Sequence, residues 1–368
     1  SPSHFIPLAA PGVVVQALKW LGDPESPFYV RLRPDLDFLA WAVRFWRAAT
    51  PARARRAAPL LRDLNLASRA LYEELAAATG NEFALTQEGL LLLFRSQAAL
   101  DLEARHAEHS RSLGMPATVL DPAGIAALEP ELTMDAVGGV HYPLDAHVTP
   151  QRFCAVLERL IQARGGVFVW NSPVSGFRAT NGTLRAAITP TGEHDGDEFV
   201  VAAGSWSADL LRTLGVRIAL QPGKGYSLTV ETPPERPKRS LILQERRVAI
   251  TPMGSTVRFG GTMELGARSL GVNPPRIRGI VRSAGRYLPA FTPERFASVS
   301  PWSGLRPCTP DGLPYLGRTE RYQNLIVATG HAMLGLSLGP ITGRLVSDVI
   351  SGETPTIDLR ALRPERYG

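Results

Sequence analysis

The chain has 368 residues, 44% of them apolar and 20% charged, with a formal net charge of +6. This length holds two domains or one large one with ample core, and the composition excludes broad disorder. The basic excess is scattered: only Lys19, Lys224 and Lys238 are lysines, and the one dense run, RARRAAPLLR from Arg53, lacks the interleaved aromatics of a nucleic-acid patch and reads as a solvated helix face.

The opening SPSHFIPLAAPGV reads as a loop entering mid-fold. Over 36–78 the pattern is helical, with Leu36, Leu39, Val43 and Trp46 at helical spacing and a second helix from Pro59 to a stop at Gly80. Trp41, Phe45 and Trp46 form a stripe assigned to core packing, with a membrane or partner surface as the alternative. FALTQEGLLLLF predicts a strand pair turning at Glu88 and Gly89. A helix follows over 97–113, then a short one ending at Pro130, then GGVHYP. Pro150, placed just after Thr149, suits the first position of a helix that runs to Gly165.

Next, GVFVW predicts a buried strand, SPVSGFRAT and GTLRAAITP two more, and DEFVVAAG a strand ending on Gly204 before a helix from Trp206. This helix, strand, hairpin, strand, turn and helix is the material of a three-layer α/β domain. Residues 217–263 read as all β, with turns at Pro222 and Gly223 and at Pro252, Met253 and Gly254. A helix over 277–288 precedes a tail, NLIVATGHAMLGLSLGPITGRLVSDVI, that reads as strand, glycine turn and helix. Two discontinuous domains follow from this order, because the α/β segments flank the β-rich middle. One takes 148–214 and 298–368; the other, α+β with a mixed sheet, takes 1–147 and 215–297.

Cys154 and Cys308 have neither C-x-x-C spacing nor partner histidines, which argues against a zinc site or disulfide framework and for a reducing, cytoplasmic setting. No apolar stretch approaches the length that spans a bilayer, so membrane contact is at most peripheral. His106 and His109 stand at ligand spacing but lack a carboxylate or cysteine motif to complete a site, and no metal is assigned. The P-loop, H-E-x-x-H, G-x-S-x-G and G-x-G-x-x-G patterns are all absent.

Four features point to chemistry. In LIVATGHAMLGLSLGPITG a strand runs into Gly330 and His331, and a helix begins near Leu334, Gly335 and Leu336, an arrangement that either admits a ligand to the backbone or eases helix–sheet packing. VVAAGSWSADLL repeats the device at Ala203, Gly204 and Trp206, with Ser205 as a helix cap. Two such turns in one chain fit a nucleotide across the edge of a sheet. In LQPGKGYSLTV, Lys224 and Tyr226 stand between glycines, either as a turn with a strand tyrosine or as a phenol beside a bound ring or carboxylate. Finally, WSGLRPCTPDGLPYLGR holds Arg306 before Pro307, whose fixed ring biases Arg306 to an extended backbone. A guanidinium held this way points to a planar anion such as a carboxylate.

Together with GGVHYPLDAHVTPQRF, GGVFVWNSPV and ATGHAMLGLSLGPITGRLVSDVISG, these segments resemble the FAD-dependent D-amino-acid oxidase superfamily, most closely its bacterial D-amino acid dehydrogenase (small-subunit type) branch. The resemblance implies FAD in an α/β domain covered by a mixed-sheet substrate domain. It implies that Arg306 grips the substrate carboxylate and that Tyr226 lies on the substrate side. Val174 would lie by the adenine, Ala203, Gly204 and Trp206 by the pyrophosphate or ribose, and Gly304, Gly330, His331, Leu334, Gly335 and Leu336 by the flavin. It also places a βαβ unit carrying G-x-G-x-x-G, on the order of 30–50 residues, ahead of Ser1, supplied by a preceding stretch or a partner chain. The implied activity is oxidation of a D-amino acid to an imino acid; the electron acceptor, a quinone or oxygen, stays open. The alternatives are a glycine or sarcosine oxidase using oxygen, and a non-catalytic remnant or structural subunit of a split flavoenzyme.

Overall fold

A computed structural model describes residues 2–10, 12, 13, 20, 22–31 and 35–367 of the chain. Lys19 lies outside the described residues.

Helix α1 (Leu36–Ala48) starts where the Asp35 carboxylate accepts the Phe38 N–H at 2.6 Å. Its buried residues are Phe38, Trp41, Phe45 and Ala48, so the core stripe lies one step round from Leu36, Leu39, Val43 and Trp46, which are all exposed. Trp41 and Phe45 stack with centroids 5.0 Å apart, while Trp46 is 66% exposed and leaves the stripe predicted from the sequence. Helix α2 (Pro51–Ala78) begins earlier than expected, at a Thr50 cap followed by Pro51. Pro59 falls inside it on the solvent side, where the break it makes in the helical hydrogen bonds faces away from the core.

Among the described residues the large sheet has nine strands, in the order β13-β9-β12-β11-β10-β2-β4-β3 with β1 beside β12. They are β1 (Phe28–Val30), β2 (Leu90–Phe94), β3 (Thr118–Leu120), β4 (Gly138–Tyr142), β9 (Gln221–Val230), β10 (Ser240–Leu243), β11 (Val248–Met253), β12 (Thr256–Leu265) and β13 (Trp302–Cys308). The hairpin expected around Glu88 is replaced by β2 alone, which pairs antiparallel with β4 and parallel with β10. Pro222 and Gly223 lie within β9 rather than at a turn. One face of this sheet, including Tyr226, Leu228, Val230, Phe259, Ile250 and Leu241, packs on helix α7 (Pro274–Tyr287). Helices α3 (Gln97–Ser112) and α4 (Pro122–Leu128) flank β2, β3 and β4.

The second part is layered as expected. β14 (Tyr315–Arg318), β15 (Leu325–Thr329) and β8 (Phe199–Val201) form a sheet in which β8 and β15 are parallel. Leu316 and Ala328 pack under helix α8 (Gly335–Ile350) together with α2. On the other side Tyr315, Leu325 and Val327 pack with helix α6 (Ser207–Arg212) and with a separate sheet of β5 (Gly176–Thr180), β6 (Thr183–Thr189) and β7 (Gly192–Asp195). Helix α5 (Pro150–Gln162) packs Phe153 and Val156 against Tyr72 and Phe83. GVFVW is not a strand: no strand among the described residues lies alongside it, Val167 and Trp170 are 85% and 65% exposed, and Phe168 stacks on Trp170 instead. The segment 302–308, assigned from the sequence to the cofactor part, pairs with β9 and belongs to the large sheet.

The face assignment of α1 is directly testable. Phe38→Ala is expected to cost about 3–5 kcal/mol of unfolding free energy. Leu39→Ala is expected to cost about 0.5 kcal/mol or less, and equilibrium denaturation compares the two.

Candidate active site

Side chains alternate across a strand, so the β13-β9-β12 tract has a second face opposite α7. It carries Trp302, Gly304 and Arg306 on β13, in register with Ser227, Gly225 and Gly223 on β9, and Arg258 and Gly260 on β12. The glycines are required by close approach. A Cβ on Gly225 would collide with the Arg306 guanidinium, and one on Gly304 with the Trp302 ring. Arg258 lies over the same ring, its guanidinium carbon 5.2 Å from the centroid.

Arg306 is extended, as Pro307 demands, and its Nη1 donates to the Thr262 carbonyl at 3.0 Å. Among the described residues no carboxylate pairs with it. Burial draws its pKa below the ordinary guanidinium value, yet a guanidinium stays charged at neutral pH. A cation held over glycine with unused donors has the chemistry to accept a planar carboxylate.

β13 is tied directly to the second glycine turn. Cys308, at its end, forms an isolated bridge with His331, and the Trp41 indole N–H donates to the Cys308 carbonyl at 3.0 Å. Burial pushes the Cys308 thiol up to about 12, so it is no nucleophile. Burial also lowers His331 to about 4, leaving a neutral imidazole whose Nε2 lies 2.9 Å from the Thr342 hydroxyl.

The two turns sit at the C-terminal ends of the parallel strands β8 and β15, where open α/β sheets bind ligands. Gly330 has φ +82°, Ala332 +48° and Gly204 +55°. Thr329 links them: its hydroxyl donates to the Gly204 carbonyl at 3.0 Å and accepts from the Ser207 hydroxyl at 3.1 Å. No side chain caps the first turn of α8. Pro340 leaves the Leu336 carbonyl without its usual helical donor, and the Tyr72 hydroxyl supplies one at 2.7 Å, locking the start of α8 to α2.

These residues fit FAD. The Ser205 hydroxyl, expected to cap a helix, is buried without a hydrogen-bond partner, and the space a Cβ on Gly204 would enter is open. Val174, Trp206, Met333 and Leu336 expose apolar surface of the kind a ring system covers, at 39%, 59%, 53% and 40%. Uncapped N–H groups at the start of α8 suit the electron-rich edge of a flavin.

Of the residues singled out in the sequence, the structure joins Arg306 and Gly304 on one face. It joins Ala203, Gly204, Gly330 and His331 through Thr329 and the Cys308 bridge. Gly335 opens α8, and Leu334 packs beneath it. Tyr226 is a correction. It pairs with Ser303 rather than Arg306, is 1% exposed in the α7-side core, and donates to Glu264 at 3.0 Å, because β9 alternation turns it away from the open face. Arg258, Thr262 and Glu264 were missed; the signal was GGTMEL, a carboxylate inside an otherwise apolar strand.

The sequence pattern of the FAD dependent oxidoreductase family matches residues 32–349. The chain is 35% identical over 375 residues to a D-amino acid dehydrogenase of Granulibacter bethesdensis, an alignment covering 100% of this chain and 88% of that protein. It is 36% identical over 377 residues to a D-amino acid dehydrogenase of Methylobacterium radiotolerans, with the same coverage of 100% and 88%. Its fold matches the crystal structure of glycine oxidase from Geobacillus kaustophilus with a TM-score of 0.77 at 28% identity, over 83% of each chain.

Burial holds both His147 and His331 at about 4, below their ordinary 6.5. The unfolded chain therefore takes up protons that the folded state refuses as pH falls below that ordinary value. The stability these residues contribute is complete above 6.5 and is lost progressively down to about 4. Thermal unfolding across that window is expected to show a falling Tm, with a shallower slope in His147→Gln.

Proposed function

The chain belongs to the FAD dependent oxidoreductase family, and from that membership we propose that it oxidises D-amino acids to imino acids, with Arg306 as the carboxylate grip. It is a flavin-dependent enzyme of amino acid oxidation; the D-configuration is supported by relatives at 35% and 36% identity that carry that name. The observation that carries the role of Arg306 is its guanidinium, laid over Gly225 without a carboxylate partner among the described residues and one bridge away from the Gly330 turn.

Bound FAD supplies a two-electron acceptor for the hydride leaving Cα. The protein supplies orientation. Arg306 would hold the substrate carboxylate through its free donors, which sets Cα at a fixed height above the glycine-paved face. Ala203, Gly204, Trp206 and Val174 would hold the nucleotide end. Gly330, neutral His331 and the first turn of α8 would hold the ring, their N–H groups stabilising negative charge that builds up on it. The amine gives up a proton to water before oxidation. Water then hydrolyses the imine to a 2-oxo acid and ammonia. In this reading the cofactor part comprises 148–214 and 309–368, and the substrate part the large sheet with β13.

The dehydrogenase relatives support an acceptor other than oxygen, for which we propose a quinone. The exposed α1 face of Leu36, Leu39, Val43 and Trp46 supports peripheral contact with a membrane that carries it. No helix among the described residues is long and apolar enough to cross a membrane. Glycine oxidase at 28% identity favours the alternative of a small amine oxidised with oxygen; reoxidation of the reduced protein by oxygen against a quinone decides between them.

Arg306→Lys keeps the charge and loses the bidentate fork, and kcat/KM for D-amino acids is expected to fall about 100-fold or more. Steady-state kinetics checks this, and a fall of less than about threefold contradicts the assigned role. A protein that retains flavin yet oxidises no D-amino acid would support the non-catalytic alternative instead.

A further inference from the structure

Directly behind the face that carries Arg306 lies a buried polar system that the proposed reaction does not use. The Glu264 side chain is 6% exposed. Its carboxylate gathers the Tyr226 hydroxyl at 3.0 Å, the Asn273 amide at 3.0 Å, Lys224 Nζ at 3.3 Å and Arg276 Nε at 3.5 Å. These groups come from β9, from the residue before α7 and from α7 itself. They are anchored in turn: Lys224 donates to the Gly271 carbonyl at 2.8 Å, and Arg276 to the carbonyl and hydroxyl of Ser26 at 2.8 and 2.9 Å.

The strand that bears Glu264 is irregular at this point. The register between β12 and β9 shifts between Gly261 and Glu264, and Thr262 within the shift has φ +68°. A β-branched residue is an outlier there and keeps such a conformation only where its surroundings impose it. On the N-terminal side the ladder to β9 is regular up to Gly261. On the C-terminal side Met263 N–H donates to the Pro27 carbonyl at 2.8 Å, and Glu264 is fixed by its four partners. The extra residue turns the Thr262 carbonyl to the opposite face, 3.0 Å from Arg306 Nη1.

We propose that Glu264 is a positioning residue for the carboxylate-binding arginine. It pins the β12 bulge from the α7 side, so that the Thr262 carbonyl occupies one end of the Arg306 guanidinium and sets its plane over Gly225. The inference rests on the carboxylate-gripping role of Arg306. It assigns Tyr226 a part in the site after all, from behind the sheet rather than on the substrate side.

Glu264→Gln keeps the side-chain shape and removes the charge. In the FAD-loaded protein, KM for D-alanine is expected to rise about tenfold with kcat within about threefold. The Kd for pyruvate, a carboxylate with no hydride to give, should rise in parallel by calorimetry. Those changes should add less than about twofold in an Arg306→Lys background, because both variants act on one interaction. A lower Tm with KM and Kd unchanged makes Glu264 a structural ion pair only and overturns the proposal. Where Glu264→Gln fails to fold, Tyr226→Phe removes one contact without unpairing a charge. Its Kd for pyruvate should rise about threefold, and an unchanged Kd overturns the proposal equally. An Arg306→Lys variant with unaltered KM and Kd removes the underlying carboxylate role, whereas an effect there with none at Glu264 removes only the positioning.

Discussion

The placement of one guanidinium governs the rest of the site. A buried cation without a carboxylate is costly unless neighbouring dipoles and an eventual anion offset the lost hydration. Here the Thr262 carbonyl serves Arg306 Nη1 at 3.0 Å, and Gly225 leaves room for the fork to lie flat. The two have different origins. The carbonyl faces Arg306 because β12 carries an extra residue, and the room exists because β9 has no side chain where β13 places its arginine. The remaining donors have no carboxylate partner among the described residues, which is the arrangement that the proposed carboxylate grip calls for.

The cofactor end obeys the same logic of backbone held in place by distant side chains. Thr329 ties the two glycine turns together through its hydrogen bonds to Gly204 and Ser207. Tyr72 and Ser68 of α2 donate to the Leu336 and Ser337 carbonyls at 2.7 and 2.6 Å, fixing the first turn of a helix that Pro340 would otherwise weaken. The Cys308–His331 bridge then joins this end to β13. The strand that carries Arg306 and the Gly330 turn are thus joined directly through backbone pairing, which supports the proposal that they act on one bound substrate and ring.

What could be read from the sequence was whatever local chemistry decides. Arg306 before Pro307 was legible because a proline constrains its neighbour wherever it occurs, and the two glycine turns because strand, glycine and helix succeed one another in the chain. Thr50 and Pro51 are an equally local start signal for α2, and the helix begins there rather than at Pro59. Residues whose meaning depends on a partner strand were not legible. Tyr226 sits among glycines like a site residue, but register with β12 and β13 turns it toward Glu264 and α7. The buried side of α1 followed the same rule: periodicity showed two apolar stripes, and only packing against the Phe28, Met263 and Leu265 cluster chose Trp41 and Phe45. Glu264 carried only the weak signal of a carboxylate inside GGTMEL, since a carboxylate in a strand is assigned to solvent until its four buried partners are known.

The most direct measurement is anaerobic titration of the FAD-loaded protein with paired D- and L-amino acids, followed by visible flavin absorption. The expected result is rapid bleaching by a D-amino acid, none by its L-isomer, and loss of that bleaching at the same concentration in Arg306→Lys. A flavin that stays oxidised with every D-amino acid, or that bleaches equally with both isomers, would contradict a site in which one fixed guanidinium orients the carboxylate for stereospecific oxidation.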